Sequence, residues 1–385
     1  MTVTRARSFA IVANGFADGP AQALRDYLTA RGARVFVVSH PLAPEDGTRH
    51  VVTTYAGDEL VARRTVASPL RPPSSFVLDP FVPLRFPPVD VWFGFNPLAC
   101  ARGLVARRMR RASTAVLWSV DFVPDRFGRG TAQTRLYDRL DELCCRRADA
   151  RVELSEAARE GRNLRHGLSS DRAAAHVVPM GAWLERVQTA GTEGYEARRL
   201  VFLAHLVRRQ GADILLEALA ALGSQAAGIT ADVIGSGPLE DDLRARARAL
   251  GLEDVVTFHG FVDDHREVER LLASASLGMA PYRPGEMSFT AYADPGKLKA
   301  YLAAGLPILV TDVPPNARGL ARDGGAEIVP FEATAIAEAV LRVLDSPETW
   351  KKRSEAARAY ARRFDWPLLF DELMASLGLE VVPGR

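Results

Sequence analysis

Apolar positions along this chain fall into short runs separated by longer stretches of helical period, the pattern of a parallel sheet wrapped by helices. In the first half the runs 8–13, 34–38, 89–93, 115–119, 151–154 and 176–178 are predicted strands. In the second half the runs 200–204, 229–234, 255–258, 277–280, 308–311 and 326–329 repeat the alternation, with helical patterns such as 213–222 and 239–250 between them. The segment 68–88 carries Pro69, Pro72, Pro73, Pro80, Pro83, Pro87 and Pro88, a density that excludes helix and sheet interiors and predicts a long ordered loop. Residues 180–199 lack a strong period and read as the connection between two domains. The chain therefore divides into an N-terminal domain, 1–183, and a C-terminal domain, 184–363. Phe364-Asp365-Trp366-Pro367 then opens an aromatic-anchored amphipathic helix over 368–377.

Composition narrows the functional classes. A chain of 385 residues, 48% hydrophobic and 25% charged, supports two cores of ordinary size. No run approaches the ~20 apolar residues of a membrane span, and Thr4-Arg5-Ala6-Arg7 leads straight into a strand, so the expected location is cytoplasmic. Cys100, Cys144 and Cys145 have no metal-ligand spacing and read as idle or buried thiols. A net charge of +2 without an aromatic and basic ladder argues against nucleic acid. The basic run Arg102, Arg107, Arg108, Arg110 and Arg111 is open to two readings, a solvated helix face or a peripheral contact with anionic lipid.

Candidate chemistry concentrates at strand ends. In the segment from Asp294 to Asp312, Asp294 is expected to cap a helix, Pro295 to take its first position, and Gly305 with Pro307 to end it. The amides of Gly296 and Lys297 would then stand at the positive end of the helix, where a phosphate meets backbone donors and the Lys297 ammonium together. Only Lys297, Lys299, Lys351 and Lys352 are lysines in a chain whose other basic residues are arginines. Lys299 is expected to be a solvated surface residue. Gly235-Ser236-Gly237-Pro238 lies between a strand and a helix, yet no acidic residue ends the next strand, so a nicotinamide dinucleotide fingerprint fails. Gly260 and Phe261 follow the next predicted strand, and by composition Phe261 reads as a core aromatic. Asn14-Gly15-Phe16-Ala17-Asp18 follows the first predicted strand, and Asp121 follows another; Asp121 is either a turn cap or a group that orients a hydroxyl.

Pro295-Gly296-Lys297 followed by Tyr301-Leu302-Ala303-Ala304-Gly305-Leu306-Pro307 and an apolar strand resembles the donor-binding segment of retaining glycosyltransferases of the GT-B fold, family 4 type. Residues 201–211, 233–238 and 256–261 and the Ala280-Pro281-Tyr282 turn add to the likeness in the usual order. The resemblance implies an α/β protein of two doubly wound Rossmann-like domains facing a central cleft, with 364–385 crossing back onto the first. It implies transfer of a sugar, with retention and without metal or cofactor, from a nucleotide diphosphate donor to a hydroxyl or amine of a small-molecule or glycan acceptor. On this reading Gly15, His205, Arg208, Arg209, Gly235, Gly237, Gly260, Phe261, Asp294, Pro295, Gly296 and Lys297 face the donor, and Gly260 with Phe261 would supply backbone and an aromatic wall for a nucleotide base. Asn14, Asp18 and Asp121 face the acceptor, with Asp121 the catalytic candidate.

Two positions depart from the family pattern. His205 and Gln210 stand where an arginine and a lysine usually grip the diphosphate, with Arg208 and Arg209 between them as replacements. Ala300 stands where a glutamate usually takes the ribose hydroxyls, leaving Glu286 or Asp294 to substitute. The alternative reading is a GT-B relative with impaired catalysis that serves as a sugar-nucleotide-binding or partner subunit.

Overall fold

The computed structural model describes residues 4–16, 19–42, 46–72, 74–77, 79, 82, 87–168, 175–223, 228–285 and 291–384. The chain divides into two compact units, Met1–Pro179 with Trp366–Arg385, and Met180–Asp365.

In the first unit, β1 (Thr4–Ala6) precedes the sheet strands β2 (Ser8–Asn14), β3 (Arg34–His40), β4 (Arg49–Ala56), β5 (Glu59–Ala67), β6 (Val89–Gly94), β7 (Ala112–Ser119), β8 (Ala150–Glu153) and β9 (Ala175–Val177). Their order is β5-β4-β3-β2-β6-β7-β8-β9. Phe9, Ala10, Ile11 and Val12 of β2 are all fully buried, as expected of a central strand covered by helices on both faces. The pairs β3–β4 and β4–β5 are antiparallel, whereas the other pairs in this sheet are parallel.

The second unit holds β10 (Arg199–Leu203), β11 (Thr230–Ile234), β12 (Val256–Gly260), β13 (Leu277–Ala280), β14 (Ile308–Val310) and β15 (Glu327–Ile328), all parallel. Their order is β12-β11-β10-β13-β14-β15. The chain winds outward from β10 in one direction and returns to its other side at β13. The crevice beyond β10 and β13 is thus the topological switch point, where open α/β sheets bind ligands.

Several expectations change. The β4–β5 hairpin was not anticipated; its outer strand is mostly exposed and carries Arg63 and Arg64, the polar dressing of a sheet edge and not a buried run. The segment 180–199 is part of the second unit. The Met180 N–H donates to Asp294 at 2.7 Å, the Ala182 N–H to the Phe364 carbonyl at 2.8 Å, and Tyr195 packs on Trp350. These bonds place the unit boundaries at 179/180 and 365/366, compared with 183/184 and 363/364 from sequence.

The helix Trp366–Ser376 belongs to the first unit: Phe370 is stacked on Trp366 and meets Trp118 edge-on, and Asp371 accepts the Tyr27 hydroxyl at 2.6 Å. After it, β16 (Leu379–Val381) pairs with β1. The basic run is not one helical face. Its helix ends at Arg108, Arg102 turns onto the Asp79 and Val82 carbonyls, and Arg107 pairs with Asp149. The three cysteines are buried free thiols.

Candidate functional site

At the switch point of the second unit, the loop after β10 and the loop after β13 touch through glycine. Gly211 has φ +75°, and a Cβ there would lie 1.8 Å from the Pro281 carbonyl oxygen. Gly235 does the same for the loop after β11: its φ is +123°, and a Cβ would lie 2.0 Å from the Ala204 oxygen. Leu206 then bonds the Ser236 carbonyl at 2.8 Å. Three strand-end loops are thereby locked around β10, and the physical need for these glycines is backbone approach within the protein.

The helix Gly296–Ala303 starts beside them, with Pro295 as its N-cap and no side-chain cap. Asp294 does not cap it, contrary to the sequence expectation, and Pro295 stands one position before the first helical residue. Asp294 instead accepts the Met180 amide, the Asn316 amide at 3.1 Å and the Lys299 ammonium. Lys299 is not solvated; it is only 1% exposed and closes a buried ion pair beneath the helix. A carboxylate that spends its acceptors on a linker amide and a buried cation has few left for a cap.

Lys297 is the polar group that this framework presents at the switch point. Its ammonium donates to Gln210 Oε1 at 2.8 Å and lies 4.9 Å from the Phe202 ring centre and 4.3 Å from that of Tyr282. Among the described residues no carboxylate pairs with it, and burial pushes its pKa down to about 7. Gln210, one of the departures from the family pattern, is therefore the acceptor that holds Lys297 without neutralising it. Lys297 stands at the helix start as the sequence implied, and its side chain is half-buried between two aromatic rings.

Other candidates are arranged around this group in different ways. His205 is exposed and its Nδ1 donates to the Ser236 carbonyl at 2.8 Å, so an ion-pairing role would require the imidazolium. Arg208 is exposed and Arg209 half-buried on the short 3-10 turn Arg208–Gln210. Gly260 has φ +68°, and Phe261 is 70% exposed, which rules out the core reading for that ring. Ala300 is half-buried against the core of the unit. Glu286 lies outside the described residues. Arg283, which sequence reasoning did not single out, pairs with Asp213 and covers Phe331 at 4.6 Å.

The first unit carries its own strand-end groups. Gly15, with φ +99°, donates its N–H to the His40 carbonyl at 2.8 Å. Asn14 donates to Asp79 Oδ2 at 2.9 Å and accepts from Asn96 at 2.7 Å, so its amide is already engaged. Asp18 lies outside the described residues. Asp121 pairs with Arg126, while its main-chain carbonyl accepts from Ser119 Oγ at 2.8 Å and Arg162 at 3.0 Å. Beneath that turn, Arg162 is 1% exposed, forms ion pairs with Glu153 at 2.8 Å and with Asp141, and bonds Ser119. His166 Nε2 meets the same Asp141 oxygen, Oδ2, at 2.8 Å. Burial alone would lower the Arg162 pKa, but Glu153 and Asp141 hold it above the ordinary arginine value. The signal missed in the sequence was spacing: Glu153 ends a strand, and Arg162 and His166 lie one turn apart on the following helix.

The fold and the strand-end site define a class. The structure of sucrose-phosphate synthase from Thermosynechococcus elongatus superposes with a TM-score of 0.69 at 17% identity, covering 96% of this chain and 100% of that one. HepE from Anabaena, solved with UDP, superposes with a TM-score of 0.66 at 16% identity, covering 96% and 99%. The chain has the GT-B fold. Residues 197–346 match the family described as Glycosyl transferases group 1. A GDP-mannose-dependent alpha-(1-6)-phosphatidylinositol dimannoside mannosyltransferase of Mycobacterium tuberculosis is 31% identical over 186 residues, 48% of this chain and 45% of its own length. Alpha-D-kanosaminyltransferase of Streptomyces kanamyceticus is 28% identical over 167 residues, 43% of this chain and 41% of its own. The chain thus spans about half the length of the curated relatives it matches.

Proposed function

We propose that the protein is a glycosyltransferase that moves a sugar from a nucleotide diphosphate donor to a hydroxyl or amine of an acceptor, with retention at the anomeric carbon. The observation that carries this reading is Lys297, a desolvated cation held by a neutral amide at the switch point of the second unit. A half-buried ammonium that no carboxylate pairs with among the described residues is favoured by the arrival of an anion. The donor diphosphate supplies that anion. As the bond between the anomeric carbon and the diphosphate oxygen breaks, negative charge grows on the leaving group. The Gly296 and Lys297 amides and the Lys297 ammonium stabilise it there. Arg208 and Arg209 supply the further charge that the loop after β10 usually brings in this family. Asp121 is proposed to orient the acceptor, its carboxylate fixed by Arg126.

The mannosyltransferase relatives make GDP-mannose a donor to try, and HepE makes UDP-sugars another. The test is incubation of the purified chain with a panel of nucleotide diphosphate sugars, following nucleoside diphosphate release by mass spectrometry with and without candidate acceptors. Release from one donor, accelerated by an acceptor, is expected. Donor binding without release under any condition would favour the binding-subunit reading, for which Ala300, His205 and Gln210 are the observations.

Ala300→Glu tests the donor pose. If Ala300 faces the ribose, the new carboxylate is expected to tighten binding of the matching nucleoside diphosphate by about tenfold, the value of one charged hydrogen bond. Isothermal titration reads the change. Unchanged affinity with unchanged stability would move the ribose away from this helix.

A further inference from the structure

The β3–β4 hairpin assembles a cluster outside the donor site that the sequence does not bring together. The register that pairs Ser39 with Val51 sets His40 opposite His50, and their Nδ1 atoms are 2.8 Å apart. Asp79, from the proline-rich segment before β6, directs Oδ1 at both, 3.8 Å from His40 Nδ1 and 3.7 Å from His50 Nδ1. All three side chains are buried, at 2%, 1% and 3% exposure.

A hydrogen-bonded imidazole pair alone does not account for this arrangement. The two Nδ1 atoms can satisfy one another, but Asp79 Oδ1 is too far from either to accept a hydrogen bond and has no other donor among the described residues. A buried carboxylate oxygen left in this way is expensive. Its companion Oδ2 is held by Asn14, and Asn14 by Asn96, so the carboxylate is oriented from behind.

The three ligand atoms lie within 4.8 Å of one another. The point equidistant from corners separated by 2.8, 3.7 and 3.8 Å lies in their plane about 2.0 Å from each, the zinc-to-ligand distance, and the two rings would move slightly apart to reach tetrahedral angles. Two imidazoles and one carboxylate select a borderline cation of the zinc type over magnesium or calcium. A cavity of about 10 Å³ beside the cluster is lined by His40, Asp79, Asn14 and Arg102 and has room for about one water. The Asn14 amide is an outer hydrogen bond to the carboxylate and is held in turn by Asn96, whereas His50 Nε2 has no acceptor among the described residues. Arg102 is the nearby positive group; its guanidinium is turned onto the Asp79 and Val82 carbonyls.

We propose that His40, His50 and Asp79 bind one zinc-type divalent cation, which ties the β3–β4 hairpin to the proline-rich segment and fixes Asn14 at the end of β2. The site lies within the first unit and is structural, independent of donor chemistry in the second. It does not depend on the proposed transferase activity.

The experiment uses the full chain with any affinity tag removed, stripped by chelator and dialysed. Titration with Co²⁺ is expected to give visible ligand-field absorption that saturates at about one ion per chain and is bleached by Zn²⁺. Zn²⁺ is also expected to raise the melting temperature of the stripped protein by mass action. Asp79→Asn, an isosteric change, and His50→Ala should lose both the absorption and the thermal shift. No saturable cobalt signal in the wild-type chain overturns the proposal however the variants behave. An undiminished signal in folded Asp79→Asn and His50→Ala overturns it as well, because the ion would then be bound elsewhere.

Discussion

Replacing Lys297 by methionine is expected to weaken nucleotide diphosphate sugar binding by ten- to a hundredfold at pH 6 while making the free protein more stable. The first effect is the loss of a charged hydrogen bond to phosphate, worth about 1.5–3 kcal/mol. The second follows from the proton balance. The lysine keeps its proton up to 10.5 in the unfolded chain but only to about 7 in the folded one. Between those values the unfolded chain binds more protons, so stability rises with pH, and the cost of burying the ammonium is fully present below pH 7. Methionine fills similar volume between Phe202 and Tyr282 without that cost, for an expected gain on the order of 1 kcal/mol at pH 6.

The same titration shapes binding. In the wild-type chain the donor dissociation constant should be flat below about pH 7 and rise by up to about tenfold per unit above it, as free protein loses the proton that the bound form retains. In Lys297→Met the profile should be flat throughout. Titration calorimetry with an intact nucleotide sugar avoids the ionisation of a terminal phosphate. An unaltered pH profile in the variant would remove Lys297 from the donor site.

The second large effect is on stability. Arg162→Met is expected to cost the first unit about 3–5 kcal/mol, because it strands Glu153 and Asp141 in the interior with one cation removed. The loss should show as faster amide exchange across β7 and β8 and an earlier denaturation midpoint. A double variant, Arg162→Met with Asp141→Asn, should recover part of it, since it removes the carboxylate that lost its cation while Glu153 keeps Arg151 at 3.2 Å. Amide exchange on β7 and β8 unchanged from wild type in the single variant would show that the network carries no net stability. Because Arg162 also holds Ser119 and the Asp121 carbonyl, the single variant should loosen the turn that carries Asp121.

What could be read without a structure was whatever repeats locally. Both sheets were legible as buried apolar runs, since β2, β6, β7, β10, β11 and β13 are covered on both faces and need continuous apolar residues. The helix opened by Gly296 and the position of Lys297 were legible too, because proline fixes the backbone where a helix starts and glycine permits the left-handed turn where it stops. The β5 edge was not, for an exposed strand is under no demand to be apolar.

Tertiary structure decided the state of the polar groups. Nothing near Lys299 in sequence distinguishes a solvated lysine from one 1% exposed; Asp294 was read as a cap, and only the fold aims it at Lys299, Met180 and Asn316. The Lys297 ammonium is enclosed by Phe202 on β10 and Tyr282 in the loop after β13, and the Arg162 network joins two helices and a strand. His40, His50 and Asp79 meet only because a hairpin register and a proline-rich segment bring them there. Sequence specifies backbone preference and burial through short-range sterics and periodicity. Ionisation and ligand geometry depend on desolvation and on distances between residues far apart along the chain, and those exist only once the chain has folded.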